Sequence, residues 1–372
     1  MLIVAVWRGG ARRYDEEISM LAKLAVFVCI GASLCRGEEG RWNAKAAAAY
    51  LDQRAEWWMT WPNAARDHGT FCVSCHTAVP YALSRPRLRR AMGETASAGA
   101  EQKLIANVGK RVRLWAEVQP FYFSNKDAPN RSAESRATEA VLNALVLSVS
   151  AGESDALSPG LKIAFDNMWA AQIADGPNRG AFPWLDFHNR PWEADDSQYY
   201  GSALAAVAAG RRPTDSRRTD LLVAYLRREF ASQSLVNKTM ALWAAAKLPG
   251  ILTADEKAAL VRDLAGAQGP DGGWSLTALA GAWKRRDGTA LPTATDGYAA
   301  GLVAYAMAEA GVSRTNPTLA AGLRWLAQNQ SAVDGRWVGY SLNKDRDLNS
   351  DVGRFMSDAA TAYAVLALTL EQ

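Results

Sequence analysis

Apolar residues recur along this chain at helical spacing, and no run of strand period of any length competes with them. Two kinds of stretch alternate. The first kind is amphipathic, and examples fall at about 43–59, 101–117, 158–172, 217–231, 254–267 and 317–329. The second kind is Ala-rich and nearly free of charge: 138–147, 197–207, 239–246, 297–307 and 361–368. Glycine follows most of these, at Gly152, Gly210, Gly250 and Gly311, which is a helix stop signal. An amphipathic helix buries one stripe, and a helix apolar all round is itself buried. The alternation therefore predicts outer helices laid over inner ones.

Pairing them yields six units, at roughly 42–92, 100–152, 157–210, 217–250, 252–311 and 316–372. In the first unit the inner helix is expected to begin at a cysteine motif and run through Ala78 to Leu83, with Pro80 tolerated in its first turns. Six helix pairs suffice to close a ring. The expected fold is all-α, an (α/α)6 toroid over residues 42–372. An open α-solenoid of the same units is the alternative.

The start of the chain breaks this pattern. Met20 to Lys23 opens a short positive region, residues 24–34 are apolar, and Gly31, Ala32 and Ser33 precede Arg36. Eleven apolar residues or so are too few to span a bilayer, so residues 1–36 read as a secretory signal region. Residues 1–19 include Asp15, Glu16 and Glu17, unlike the start of a signal peptide, which points to Met20 as the initiator. An uncleaved N-terminal anchor is the alternative. Cleavage near residue 35 would remove Cys29 and Cys35, leaving Cys72 and Cys75 in an exported, periplasm-like compartment with no transmembrane span.

Composition changes little in this picture. The formal charge is +4 over 372 residues, and no basic stripe interleaves with aromatics, so no nucleic-acid partner is expected. The 14 tryptophans suit large apolar cavities or their walls.

Two loops carry a sharper signal. Gln268, Asp271, Gly272 and Trp274 form Q-x-x-D-G-x-W, and Gln330, Asp334, Gly335 and Trp337 repeat it with one extra residue. Gln172, Asp175, Gly176 and Trp184 form a degraded copy. Here Gln can bond free backbone groups at the next helix, Asp-Gly makes the turn, and Trp packs back over the junction. The motif resembles the QW repeat of squalene-hopene cyclases, terpene cyclases and prenyltransferase β-subunits. That resemblance covers about residues 42–372 and implies a toroid with a central apolar cavity, suited to an apolar, isoprenoid-like ligand. Glu193, Asp195 and Asp196 are similar to the Asp-x-Asp-Asp acid of class II cyclases, which would make Asp195 a proton donor supported by the other two. The bland reading is helix capping, since Asp296 and Asp358 also stand at inner-helix starts. The prenyltransferase zinc ligands come from separate repeats, and Cys72 and Cys75 do not match them.

Cys72, Cys75 and His76 form C-x-x-C-H, the spacing that attaches haem c covalently through two thioethers with the histidine as proximal iron ligand. A disulfide, a redox dithiol or a zinc site with two further ligands are the alternatives. Trp57, Trp58, Trp61, Phe71 and Tyr81 are expected to wall the haem, and Arg85, Arg87, Arg89 and Arg90 to meet its propionates unless they form a solvated basic face. Met92 or His68 is expected as the sixth ligand, with Met59 and His188 as further options; His68 and His188 can equally be loop residues. The resulting expectation is an exported haem protein that transfers electrons to a partner protein or oxidises an apolar ligand. A cyclase-like isomerase using Asp195 and a non-catalytic binding toroid are the alternatives.

Overall fold

A computed structural model describes residues 42–151, 157–212 and 215–370 of the chain. The signal region, Met20 as initiator, Cys29, Cys35 and Gly152 lie outside the described residues. Thirteen helices are described: α1 (Ala44–Thr60), α2 (Ala78–Ala91), α3 (Gly99–Arg113), α4 (Arg131–Ser150), α5 (Pro159–Ala170), α6 (Ser197–Arg211), α7 (Ser216–Glu229), α8 (Leu235–Lys247), α9 (Ala254–Gly266), the short α10 (Leu276–Ala280), α11 (Gly297–Glu309), α12 (Pro317–Gln328) and α13 (Phe355–Leu368). A two-residue hairpin, β1 (Ala65–Arg66) and β2 (Thr70–Phe71), is the described sheet.

The expected outer helices correspond to α1, α3, α5, α7, α9 and α12, and the inner ones to α2, α4, α6, α8, α11 and α13. Each inner helix packs on the next, and α13 returns to α2, so the six pairs close rather than spiral. The chain forms an (α/α)6 toroid. Burial explains the two kinds of sequence. In α11 the run from Gly297 to Ala308 is buried on every face, whereas α9 buries Leu260 and Leu264 alone. Alanine and glycine let the inner backbones approach closely. A Cβ on Gly301 would lie 2.6 Å from the Ala364 nitrogen of α13.

The Q-x-x-D-G-x-W loops act as junction staples. Gln268 Nε2 donates to the Gly272 carbonyl at 2.7 Å and to Thr318 in the first turn of α12 at 2.9 Å. Gln172 does the same to Gly180 and to Arg218 of α7, each at 3.0 Å. Gln330 donates to Gly335 and, across the ring, to the Asn43 carbonyl at 3.0 Å, while accepting from the Asn43 N–H at 2.6 Å. Trp274 and Trp337, both fully buried, return their indole N–H to Leu264 and Leu326 at the ends of their own outer helices. Trp184 instead donates to Trp192, which is where the degraded copy departs from the pattern.

The resemblance implied a central apolar cavity. An aromatic column occupies part of the ring interior, in which Trp192 meets Tyr298 at 5.6 Å, Tyr298 meets Tyr363 at 5.5 Å, and Tyr363 meets Trp243 at 6.4 Å between ring centroids, and a cavity of about 430 Å³ remains beside Trp243.

Candidate functional site

The first repeat departs from the others between its two helices. After α1, the chain turns at Pro62, forms the β1–β2 hairpin and passes His68 and Gly69 at φ of 53° and 62°. Cys72 is then fixed from two sides. Its N–H donates to Ala64 at 2.8 Å, and its carbonyl accepts the Trp58 indole N–H at 2.7 Å. Ser74 caps the start of α2, accepting from the Thr77 and Ala78 N–H groups at 3.3 and 3.1 Å. Pro80 falls in the first turn of α2, where no intrahelical donor is lost. The five residues of the motif thus lie just before an inner helix on one rim of the ring; that helix starts at Ala78, after the motif rather than at it.

Both thiols are buried and free. Burial pushes Cys72 up to about 12 and Cys75 well above the ordinary thiol range. A redox dithiol needs the opposite shift, because its nucleophile is the thiolate. A zinc site needs further ligands, and no group of three or more His, Cys, Asp or Glu side chains gathers to hold a metal ion among the described residues.

His76 is half-buried in a ring of aromatics. Phe355 stacks on it at 3.9 Å, Trp58 meets it edge-on at 4.8 Å and Trp192 lies at 5.9 Å. Burial first, and the charge of Arg54 second, lower its pKa to about 3, so the imidazole is neutral at pH 7. Its Nδ1 lies 2.8 Å from Thr77 Oγ1, and the Thr77 hydroxyl lies 2.7 Å from Asp358 Oδ2. The direction of this chain is set by Asp358, which as a carboxylate accepts only. Thr77 donates to it, so His76 Nδ1–H donates to Thr77. The proton is thereby held on Nδ1, and Nε2 carries the lone pair. Asp358 is itself immobilised by Tyr50 at 2.8 Å and by Arg54 at 2.8 and 3.1 Å. An anchored carboxylate acting on the far nitrogen of a histidine is the arrangement that orients a metal ligand. Two unpaired thiols and a neutral histidine with its lone pair on Nε2 are the donor types that a c-type haem uses.

Of the other expected site residues, some join this cluster and the rest are placed elsewhere. Trp57, Trp58 and Trp61 join the cluster with Phe355, Trp57 and Phe71 also line an outer groove, and Tyr81 turns away to bond Asp52 at 2.7 Å. Arg85 pairs with Asp52 and Glu94, Arg87 with Glu309 and Arg89 with Glu101. They lie along α2, which carries them away from the motif, so they do not surround it. Met92 caps the C-terminus of that same helix. Fourteen residues at 1.5 Å each put it about 20 Å from the helix start, too far to share an iron with His76. His68 stands at the hairpin tip, 3.9 Å from Asp67, and lines a shallow surface cavity with Phe121 and Phe123. His188 is exposed, with its ring 4.4 Å from Trp283. Met59 lines the outer groove with Trp57 and Phe71.

Of the acidic trio, Asp195 is exposed and Asp196 pairs with Arg190 at 3.1 Å. Asp195 lacks the enclosure that keeps a carboxylic acid protonated, while burial raises the Asp196 pKa against the opposing charge of Arg190. Burial also raises the Glu193 pKa, to about 7, and the charge of Glu193 is felt at both Cys72 and Cys75. Asp296 is a true cap, accepting from the Tyr298 and Ala299 N–H groups at 2.9 and 3.0 Å. Asp358 is not, since it lies a turn inside α13 and serves Thr77 and Arg54 instead. Thr77, Phe355 and Trp192 had no role in the sequence reading, and Asp358 entered it only as a helix cap. The position of Thr77, next to His76, was the one signal available for them.

No family model and no curated protein matches the chain. A solved structure of an unsaturated glucuronyl hydrolase with the saccharide dGlcA-Glc-Rha-Glc is similar to it, at 10% identity and a TM-score of 0.51, over 88% of this chain and 95% of that one. At that identity the likeness is one of fold: both chains are α/α toroids.

Proposed function

We propose that this chain is an exported c-type haem protein whose toroid presents one haem at its rim for electron transfer. The observation that carries the reading is the chain Asp358–Thr77–His76, which reserves His76 Nε2 beside two unpaired thiols. Cys72 and Cys75 would hold the porphyrin through thioethers, and His76 would bind its iron. Bound there, the group supplies one-electron chemistry. The protein's share is to hold His76 in one tautomer, to keep water from it with Phe355, Trp58 and Trp192, and to place Glu193 where its charge acts on the site. The packed aromatic column below the rim favours electron transfer to a partner protein over oxidation of an apolar, isoprenoid-like ligand held inside the ring.

The test is mass and absorption of the chain expressed with c-type maturation factors. One haem's added mass and a Soret band that survive denaturation are expected, with covalent attachment impaired in Cys75→Ala. A polypeptide that weighs only its amino acids under those conditions overturns the reading.

A further inference from the structure

The inner helices end at the rim opposite the cysteine motif, around a cavity of about 430 Å³. That volume lies in the range of small-molecule sites. Four cationic side chains from three repeats line it: Arg87 and Arg90 of α2, Arg211 of α6 and Lys247 of α8. Arg87 and Lys247 share the carboxylate of Glu309, while Arg90 and Arg211 pair with no carboxylate among the described residues. Burial lowers the Arg211 pKa, and the charges of Arg87 and Arg212 push it in the same direction. Three lining side chains also carry a buried donor atom with no acceptor: Trp243 Nε1, Arg87 Nη1 and Arg211 Nε. Trp243 is 1% exposed. An unmet buried donor is costly, so this lining holds unused capacity to bind an acceptor.

Cations at helix C-termini also complement the helix dipole. That accounts for Lys247 and Arg211, which end their helices, and for Arg90. It does not account for Arg87, which stands before the last turn of α2, nor for the crowding of like charges around Arg211. The remaining wall is apolar and aromatic, with Trp243 and Tyr305 packed edge to face at 5.3 Å.

We propose that this cavity binds a small organic anion, with its acid group between Arg87, Arg211 and Lys247 and its apolar or aromatic body against Trp243 and Tyr305. The site is independent of the haem reading, because its residues lie at the other end of the ring and its test does not need iron.

Isothermal titration of the purified full chain at low ionic strength tests it, with benzoate, benzyl alcohol and inorganic phosphate as probes. Benzoate is expected to bind at least about tenfold more tightly than benzyl alcohol, because one charge-assisted bidentate contact is lost with the acid group. It is also expected to bind more tightly than inorganic phosphate. Arg211→Gln should weaken benzoate about tenfold. Val207→Trp, which fills the cavity from α6, should abolish binding, and Lys284→Gln on an exposed loop should leave it unchanged. Melting curves establish that each variant is folded. The proposal is overturned if benzoate gives no heat of binding, if the alcohol or inorganic phosphate binds as well as benzoate, or if folded Val207→Trp still binds.

Discussion

At the residue scale, the identity of one hydroxyl decides what His76 can do. Thr77 accepts from the imidazole and donates to Asp358, so it passes the carboxylate's preference to the ring without carrying charge itself. Removing the hydroxyl leaves the cysteines and the helix cap in place, because Ser74 rather than Thr77 provides that cap. In the haem-bearing protein, Thr77→Val is therefore expected to raise the reduction potential, since a less electron-rich imidazole stabilises the oxidised iron less. The shift should be on the order of 50 mV, close to a tenfold change for one electron. Thr77→Ser should restore the parent value. Potentiometric titration of the three proteins checks this, and equal potentials would remove Thr77 from the axial ligand's support. The C-x-x-C-H spacing was legible because its residues are neighbours in the sequence. The Thr77–Asp358 bond joins residues 281 positions apart, and no local pattern marks such a pair.

At the scale of elements, the staple loops show why a degenerate motif was readable. Each glutamine bonds its own loop and the start of the following outer helix, so Gln, Gly and Trp must recur at nearly constant spacing. Trp274 closes its junction with a fully buried indole that also packs under α12, where a Cβ on Gly322 would meet the ring at 2.5 Å. Trp274→Ala leaves a cavity and strands the Leu264 carbonyl, and about 3–5 kcal/mol of stability should be lost. Trp184→Phe keeps most of the apolar volume at the degraded junction and should cost less. Chemical denaturation of both variants makes the comparison. Helix placement followed from periodicity alone, because an inner helix buried on all sides and an outer helix buried on one carry different compositions. The long loop at 171–196 had no such periodicity, and there the cap positions and the enclosure of the acidic trio were not foreseeable.

At the scale of the whole molecule, the ring is closed by polar groups that also serve the candidate site. Arg54 of the first outer helix, 2% exposed, bonds Asp358 of the last inner helix and the Asp351 carbonyl before it. Arg54→Ala would leave Asp358 buried and unpaired, and a loss of about 3–5 kcal/mol is expected. Replacing both residues together, as Arg54→Met with Asp358→Leu, should recover much of that loss, while the support of His76 through Thr77 stays broken. Melting temperature and reduction potential, measured on the same variants, separate the two roles. By itself the sequence determined the all-α class, the six units, the staple loops and the C-x-x-C-H spacing, since each is written in residues a few positions apart. Tertiary structure alone decided that an aromatic column occupies part of the ring, that Met92 and the α2 arginines are carried away from His76, and that Asp358 anchors it. These outcomes depend on which residues of distant repeats meet when the last helix returns to the first, and closure brings them together only after the chain has folded.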